Sequence, residues 1–268
     1  MTFNHLLRFI PAGGGGMMDQ ILLKGKPIRL AVLDYGLFRV HSGPRDVGIC
    51  GFAVQTDADE LVLIDTGFPA KYVADAEAAT AEDSLGSFGR VLRITPENTS
   101  EAQLAKLGLT TADVTLMIQS HTHIDHVGDM DGFPGVPILI AKAERDLPRP
   151  LYWSGKQAME WPARDYPLVT EDFSLATGFE VLLCPGHAPG QLAFMVNLPD
   201  TGWVLLTSDA ISRAAEIDEG FAGSWDVPLA VHHGARIMQL ARERDAFVIY
   251  GHSPQQWPSL RKSPNWFT

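Results

Sequence analysis

The stretch Ser120-His121-Thr122-His123-Ile124-Asp125-His126 sets three histidines and an aspartate within six residues. It follows the apolar run Val114-Thr115-Leu116-Met117-Ile118, which reads as a buried strand. Imidazole nitrogens and carboxylate oxygens at this density are metal ligands by type and by spacing. Residues two apart in extended backbone point the same way, so His121 and His123 can grip one ion together. A loop bending after Ile124 turns Asp125 and His126 toward a second ion beside the first. The chain holds nine histidines in all, so a histidine-rich surface loop is a poor account of three falling here.

Four side chains cannot close two ions. Downstream, three further candidates each stand just after an apolar strand. His187 follows Val181-Leu182-Leu183-Cys184-Pro185-Gly186, Asp209 follows Trp203-Val204-Leu205-Leu206-Thr207-Ser208, and His252 follows Phe247-Val248-Ile249-Tyr250-Gly251. Reactive groups gathered at strand ends, on loops held by a rigid sheet, are the usual arrangement in α/β enzymes.

The motifs His121-x-His123-x-Asp125-His126, Pro185-Gly186-His187, Ser208-Asp209-Ala210 and Gly251-His252, with Leu63-Ile64-Asp65-Thr66-Gly67 upstream, resemble those of the metallo-β-lactamase superfamily. The resemblance runs from about Ile28 onward. It implies an α/β chain folded as a four-layer αββα sandwich, with two zinc ions per chain between the sheet edges. His121, His123 and His187 would hold one zinc, Asp125, His126 and His252 the other, and Asp209 would bridge them. Asp65 would be the buried aspartate that orients the ligand loops.

Within the superfamily, the compact run of His187, Asp209 and His252 is similar to the N-acyl-homoserine-lactone lactonases and their lactone-hydrolysing relatives. That implies a small-molecule lactone substrate and attack by hydroxide generated between the zinc ions. Asp125 or Asp209 then carries the proton to the released alkoxide, and the residues alone do not choose between them. One departure is Ser212, which stands where those lactonases keep a tyrosine that helps hold the substrate carbonyl. Length and an aromatic insertion are also similar to lactonases that open 4-pyridoxolactone in vitamin B6 degradation. The first expected substrate is therefore that planar pyridine-fused lactone, with an N-acyl homoserine lactone as the alternative. Phe68, Trp153, Trp161, Trp225 and Ser212 are the expected substrate contacts, and Arg90, Arg93 or Lys156 could meet an anionic ring oxygen. A thioesterase and a non-catalytic metal-dependent binding protein rank lower. The first needs a basic cluster for its anionic substrate, and the second leaves a complete ligand set without a use.

A chain of 268 residues, 46% hydrophobic, can bury one large core. Its 21 basic and 32 acidic residues give a formal charge of −11, which disfavours nucleic acid and anionic membranes as partners. Cys50 and Cys184 are too few and too far apart for a disulfide framework or a zinc-binding pair. Cys184, three residues before His187, could line the site but reads first as a small buried apolar residue on its strand, and a reducing cytoplasm is the simplest setting. No apolar run reaches the roughly 18 residues a membrane span needs, and Leu6-Leu7-Arg8-Phe9-Ile10 is too short and too interrupted for a signal peptide.

The elements that must position the ligands can be traced in order. Residues 1–26, with Gly13–Gly16, read as an N-terminal arm that could also serve a homodimer, and residues 27–268 as the hydrolase domain. Strands are expected at 28–40, 49–55 and 61–65, then a single exposed helix over 71–84. Ser100 is the expected cap of a helix running to Leu107, with Gly108 as its stop. A strand at 136–140 and a short helix at 143–147 follow the metal loop. Residues 149–162 carry Tyr152, Trp153 and Trp161 at no regular period, as a lid or pocket wall would. The segment 216–227 reads as a second loop over the site, with Phe221 and Trp225 as contacts. Pro228 opens a helix to about Glu243 whose apolar face holds Leu229, Ile237, Leu240 and Ala241. His232 and His233 on that helix, like His5 and His41, read as surface or packing histidines.

Overall fold

The computed structural model describes residues 23–268. The N-terminal arm and its glycine run lie outside the described residues up to position 22. Residues 23–26 already belong to the domain: Leu23 is buried, and its N–H donates to the Leu175 carbonyl at 3.1 Å.

Strand alternation builds two sheets. The larger contains β1 (Pro27–Val40), β2 (Arg45–Thr56), β3 (Leu61–Ile64), β4 (Gly89–Arg93), β5 (Val114–Gln119), β6 (Ile138–Ala141) and β7 (Leu168–Val169), in the order β4-β1-β2-β3-β5-β6-β7. The smaller contains β8 (Phe173–Ala176), β9 (Phe179–Leu183), β10 (Leu192–Leu198), β11 (Gly202–Leu206) and β12 (Phe247–Ile249), in the order β12-β11-β10-β9-β8. β3, β5, β6 and β7 run parallel, as does β12 beside β11, so the connections between them must cross over. The other pairings are antiparallel.

Side chains that alternate along each strand fill three separate layers. Val32, Phe52, Ile64 and Ile118 of the larger sheet meet Phe179, Phe194, Val204 and Ile249 of the smaller one in the central core. Leu33, Leu63 and Met117 point the other way, against Tyr72, Ala79 and Leu104 of α1 (Lys71–Ala74), α2 (Ala76–Glu82) and α3 (Ser100–Lys106). Leu182, Met195 and Leu205 face Ala230, Ile237 and Ala241 of the long helix Val227–Glu243. The result is the expected αββα sandwich.

Three expectations need correction. The helix over 71–84 is two helices, because Asp75 leaves helical geometry at φ −155° and its carboxylate accepts from the N–H groups of Glu77 and Ala78. It caps a new helix instead of continuing the old one. Thr99, not Ser100, caps α3 by accepting from the Ala102 N–H. The segment 216–227 is a loop over the site only in part: α4 (Lys142–Arg145) is followed in the chain by α5 (Ala215–Glu219), α6 (Val227–Glu243) starts with its cap on Asp226, and between them Ala222, Gly223 and Ser224 line a cavity as a loop would. Phe221 is core rather than substrate contact, buried under Gly234 of α6. Among the described residues, no helix is long and apolar enough to cross a membrane.

Candidate metal centre

Five loops leave the strands at one edge of the sandwich and converge. The loop after β5 carries His121, His123, Asp125 and His126, and the loop between β9 and β10 carries His187. Asp209 follows β11, His252 follows β12, and Asp65 follows β3. Backbone bonds fix these loops: Leu192 N–H to Ser120 O at 2.8 Å crosses between the sheets, and His252 N–H to Ser212 O at 2.7 Å joins two loops of the smaller sheet.

All seven expected ligands meet in one cluster. His121, His123 and His187 form one group, Asp125, His126 and His252 another, and His121, His126 and Asp209 a third between them; within each group the ligand atoms lie within 4.8 Å of one another. His123 Nδ1 is 3.0 Å from His121 Nε2 and 3.0 Å from His187 Nε2. Asp209 faces both sides: Oδ2 is 3.3 Å from His187 Nε2, and Oδ1 is 3.1 Å from His252 Nε2. Asp125 Oδ2 lies 3.4 Å from His252 Nε2 and 3.7 Å from His126 Nε2.

Supporting groups decide which ring nitrogen faces inward. His126 Nδ1 donates to Asp65 Oδ2 at 2.8 Å, and His252 Nδ1 donates to Gly48 O at 2.8 Å. Each bond leaves the Nε2 lone pair for the centre. Asp65 is itself held by the Ser120 N–H and hydroxyl and by the Gln119 amide. Both Asp65 and Ser208 have positive φ, 59° and 44°, a strained geometry that concentrates at functional sites.

The electrostatics divide the cluster. Burial drives His121 well below the usual histidine range, and burial with the neighbouring His187 brings His123 down to about 3. His187 is lowered too, chiefly by burial. Burial also opposes charge on His126 and His252, but there the carboxylates win. Asp125 and Asp65 lift His126 to about 9, and Asp209 and Asp125 lift His252 to about 10. Burial penalises the Asp209 carboxylate, yet His252 and His187 hold it well below the usual range. One half thus disfavours charge on its three imidazoles, and the other favours positive charge at its centre, where the carboxylates lie.

This donor set fits metal cations. His126 Nε2, His252 Nε2 and Asp209 Oδ1 are buried with no hydrogen-bond partner, which is costly unless another group meets them. All three point into the cluster, and nitrogen with carboxylate oxygen suits zinc.

The model for the Metallo-beta-lactamase superfamily matches residues 49–252. The chain belongs to that superfamily. It falls in the branch of the N-acyl homoserine lactonases and is a metal-dependent hydrolase. An N-acyl homoserine lactonase of Bacillus thuringiensis is 28% identical over 273 residues, covering 97% of this chain and 98% of that one. One from Azorhizobium caulinodans is 33% identical over 189 residues, covering 62% and 68%. A solved N-acyl homoserine lactone hydrolase, with N-hexanoyl-L-homoserine at its catalytic metal centre, shares the fold at TM-score 0.79 and 22% identity, covering 90% of this chain and 100% of that one. A dizinc quorum-quenching lactonase aligns at TM-score 0.62 and 19% identity, covering 90% and 96%.

The cluster lies on the floor of a cavity of about 580 Å³, reached by His123, Asp125, His187, Asp209 and His252. Phe68, Trp153 and Ser212 line it as expected. Trp161 does not: its indole N–H donates to Leu147 O at 2.9 Å, and its ring packs under Arg145. Trp225 is also outside the lining and is 60% exposed. Arg93 pairs with Asp34, Lys156 donates to Glu82 O and Ser84 Oγ, and Arg90 is exposed on β4, so none of the three reaches the cavity. Sequence reasoning missed Phe38, Phe88, Arg45 and Arg213, which do. Phe68, Phe38, Phe88 and Trp153 form a continuous aromatic wall, with successive centroids 5.9, 6.0 and 4.8 Å apart. For Phe38, its place in an alternating strand was the available signal, but nothing local says which sheet face opens onto a cavity.

Proposed function

We propose that the chain hydrolyses N-acyl homoserine lactones to the open N-acyl homoserines, with two zinc ions held by the seven residues of the cluster. His121, His123 and His187 hold one ion, Asp125, His126 and His252 the other, and Asp209 joins them. The observation that carries the reading is the placement of a histidine–aspartate floor beneath an aromatic wall. A lactone ring seats on the polar floor, and an acyl chain lies along Phe68, Phe38, Phe88 and Trp153, where its burial contributes about 0.8 kcal/mol per methylene.

Zinc bound there supplies water that is deprotonated near neutral pH and a Lewis acid for the carbonyl oxygen. The chain's own groups do the rest. Asp65 and Gly48 hold His126 and His252 in one tautomer, so the donor lone pairs are fixed before substrate arrives. In the reaction, the oxygen of water bonds to the carbonyl carbon, the ring C–O bond breaks, and the proton from water ends on the released hydroxyl oxygen. We assign that transfer to Asp125. Only its Oδ2 is drawn to histidines, whereas both oxygens of Asp209 are engaged across the cluster. The apolar walls keep bulk water from the opened product.

The pyridine-fused lactone gains no such support. Of the aromatic contacts expected for it, Phe68 and Trp153 line the cavity, but Trp161 is packed under Arg145 and Trp225 lies outside the lining. The relatives described above are N-acyl homoserine lactonases. The test is acid release by zinc-loaded protein from N-hexanoyl homoserine lactone, γ-butyrolactone and 4-pyridoxolactone. The expected order of kcat/KM puts the acyl homoserine lactone first; preference for 4-pyridoxolactone would reverse the assignment of substrate.

A further inference from the structure

Asp65 directly holds one ligand, His126. A second buried carboxylate, Glu144 on α4, lies behind the other half of the cluster, and nothing in the proposed reaction uses it. Its side chain is fully buried. Oε2 accepts a short hydrogen bond from the Thr122 hydroxyl, and Oε1 accepts from the Gly190 N–H at 3.1 Å. Thr122 stands between His121 and His123, and Gly190 lies three residues beyond His187. One carboxylate therefore ties together the two loops that carry these three imidazoles.

The tie extends further. Thr122 Oγ1 accepts from the Leu151 N–H at 2.9 Å, and Thr122 O accepts from the Tyr152 N–H at 2.8 Å, which anchors the start of the cavity-lining insertion to the same point. Gly190 sits so close that a Cβ there would lie 2.6 Å from Glu144 Cγ and 2.6 Å from Ala141 Cβ. A buried carboxylate met by hydrogen-bond donors rather than a cation is expensive to keep. Its two bonds hold Thr122, between His121 and His123, and Gly190, near His187, and neither goes to Asp125, His126 or His252.

We propose that Glu144 is a positioning residue for the His121–His123–His187 half of the metal centre. The proposal rests on the two-ion reading above. It makes the two halves separable: removing Glu144 weakens one metal position and spares the one supported by Asp65 and Gly48. A residue that merely stabilised the fold would lower the melting temperature and treat both positions alike.

The experiment titrates metal-free full-length protein with cobalt(II), followed by its visible ligand-field absorbance, and counts bound metal after dialysis at fixed free zinc. Wild type is expected to bind two ions. Glu144→Ala is expected to keep one at wild-type affinity and to lose about tenfold or more on the other. Glu144→Gln, which still accepts one of the two hydrogen bonds, is expected to fall between. If the alanine variant does not fold, the glutamine variant carries the test alone. Two ions at wild-type affinity, or both positions weakened by the same factor, would overturn the proposal. Wild-type protein that binds no ion tightly would overturn the metal-centre reading instead, and that result appears before any substitution is made.

Discussion

The Nδ1–H of His126 donates to Asp65 Oδ2 at 2.8 Å, and both groups are almost wholly removed from solvent. The bond turns His126 Nε2 inward, and the same carboxylate takes three further hydrogen bonds from Gln119 and Ser120. Asp65→Asn replaces an acceptor with an amide that must present hydrogens to existing donors. Zinc affinity is expected to fall by about 10- to 100-fold, and stability by about 1–3 kcal/mol. Competition with a chromophoric chelator measures the first and denaturant unfolding the second. Unchanged zinc affinity would show that Asp65 does not orient the ligand.

Gly251 precedes His252 and lies directly behind Asp209. A Cβ at that position would sit 2.4 Å from Ser208 O and 2.7 Å from Asp209 Oδ1. Gly251→Ala must therefore displace the carboxylate that spans the cluster. A shift of this kind is expected to lower kcat/KM by roughly a hundredfold while far-UV circular dichroism stays native. Wild-type turnover in a folded variant would mean that Asp209 tolerates the displacement.

Asp129 is pushed up to about 6, first by burial and then by Glu101 and Asp131, against a helping hydrogen bond from Ser100. Between its unfolded value near 4 and about 6, the folded chain binds more protons than the unfolded one. Stability therefore falls as pH rises through that window and stays lower above it. Asp129→Asn is expected to melt higher than wild type at pH 8 and to lose the advantage at pH 4, as read by calorimetry at both values. An advantage that persists at pH 4 would place its origin outside this carboxylate.

Phe88 and Trp153 close the outer end of the aromatic wall, with centroids 4.8 Å apart. Trp153→Ala removes apolar surface that only a long acyl chain reaches. The ratio of kcat/KM for N-decanoyl over N-butanoyl homoserine lactone is expected to drop about tenfold, close to the worth of two buried methylenes. A uniform loss across chain lengths would place the acyl chain elsewhere.

The metal cluster was legible because its chemistry is written locally. Three histidines and Asp125 share one loop, and His187, Asp209 and His252 each follow a recognisable apolar strand. The layers were legible for the same reason, since the apolar runs of β1 to β3 and the Asp226–Pro228 start of α6 are short-range signals. The cavity wall was not. Phe38 lies on β1 and Phe88 immediately before β4, across a long excursion of the chain, and their facing depends on how β4 pairs with the far end of β1. Trp161 misled because an aromatic residue without period is equally at home under a cation, where Arg145 holds it. Asp75 broke a helix that composition favoured, since a side chain that caps two N–H groups outweighs the weak helix propensity of its neighbours.

The most direct test of the central claim is the mass of the product. Metal-free protein, zinc-loaded protein and zinc-loaded protein treated with a chelator are each incubated with N-hexanoyl homoserine lactone at neutral pH, against a buffer blank. The account predicts conversion to N-hexanoyl homoserine, one water heavier, by the zinc-loaded sample alone, and its recovery when zinc is returned after chelation. Ring opening no faster than the blank in a sample shown to hold two zinc ions per chain would contradict it.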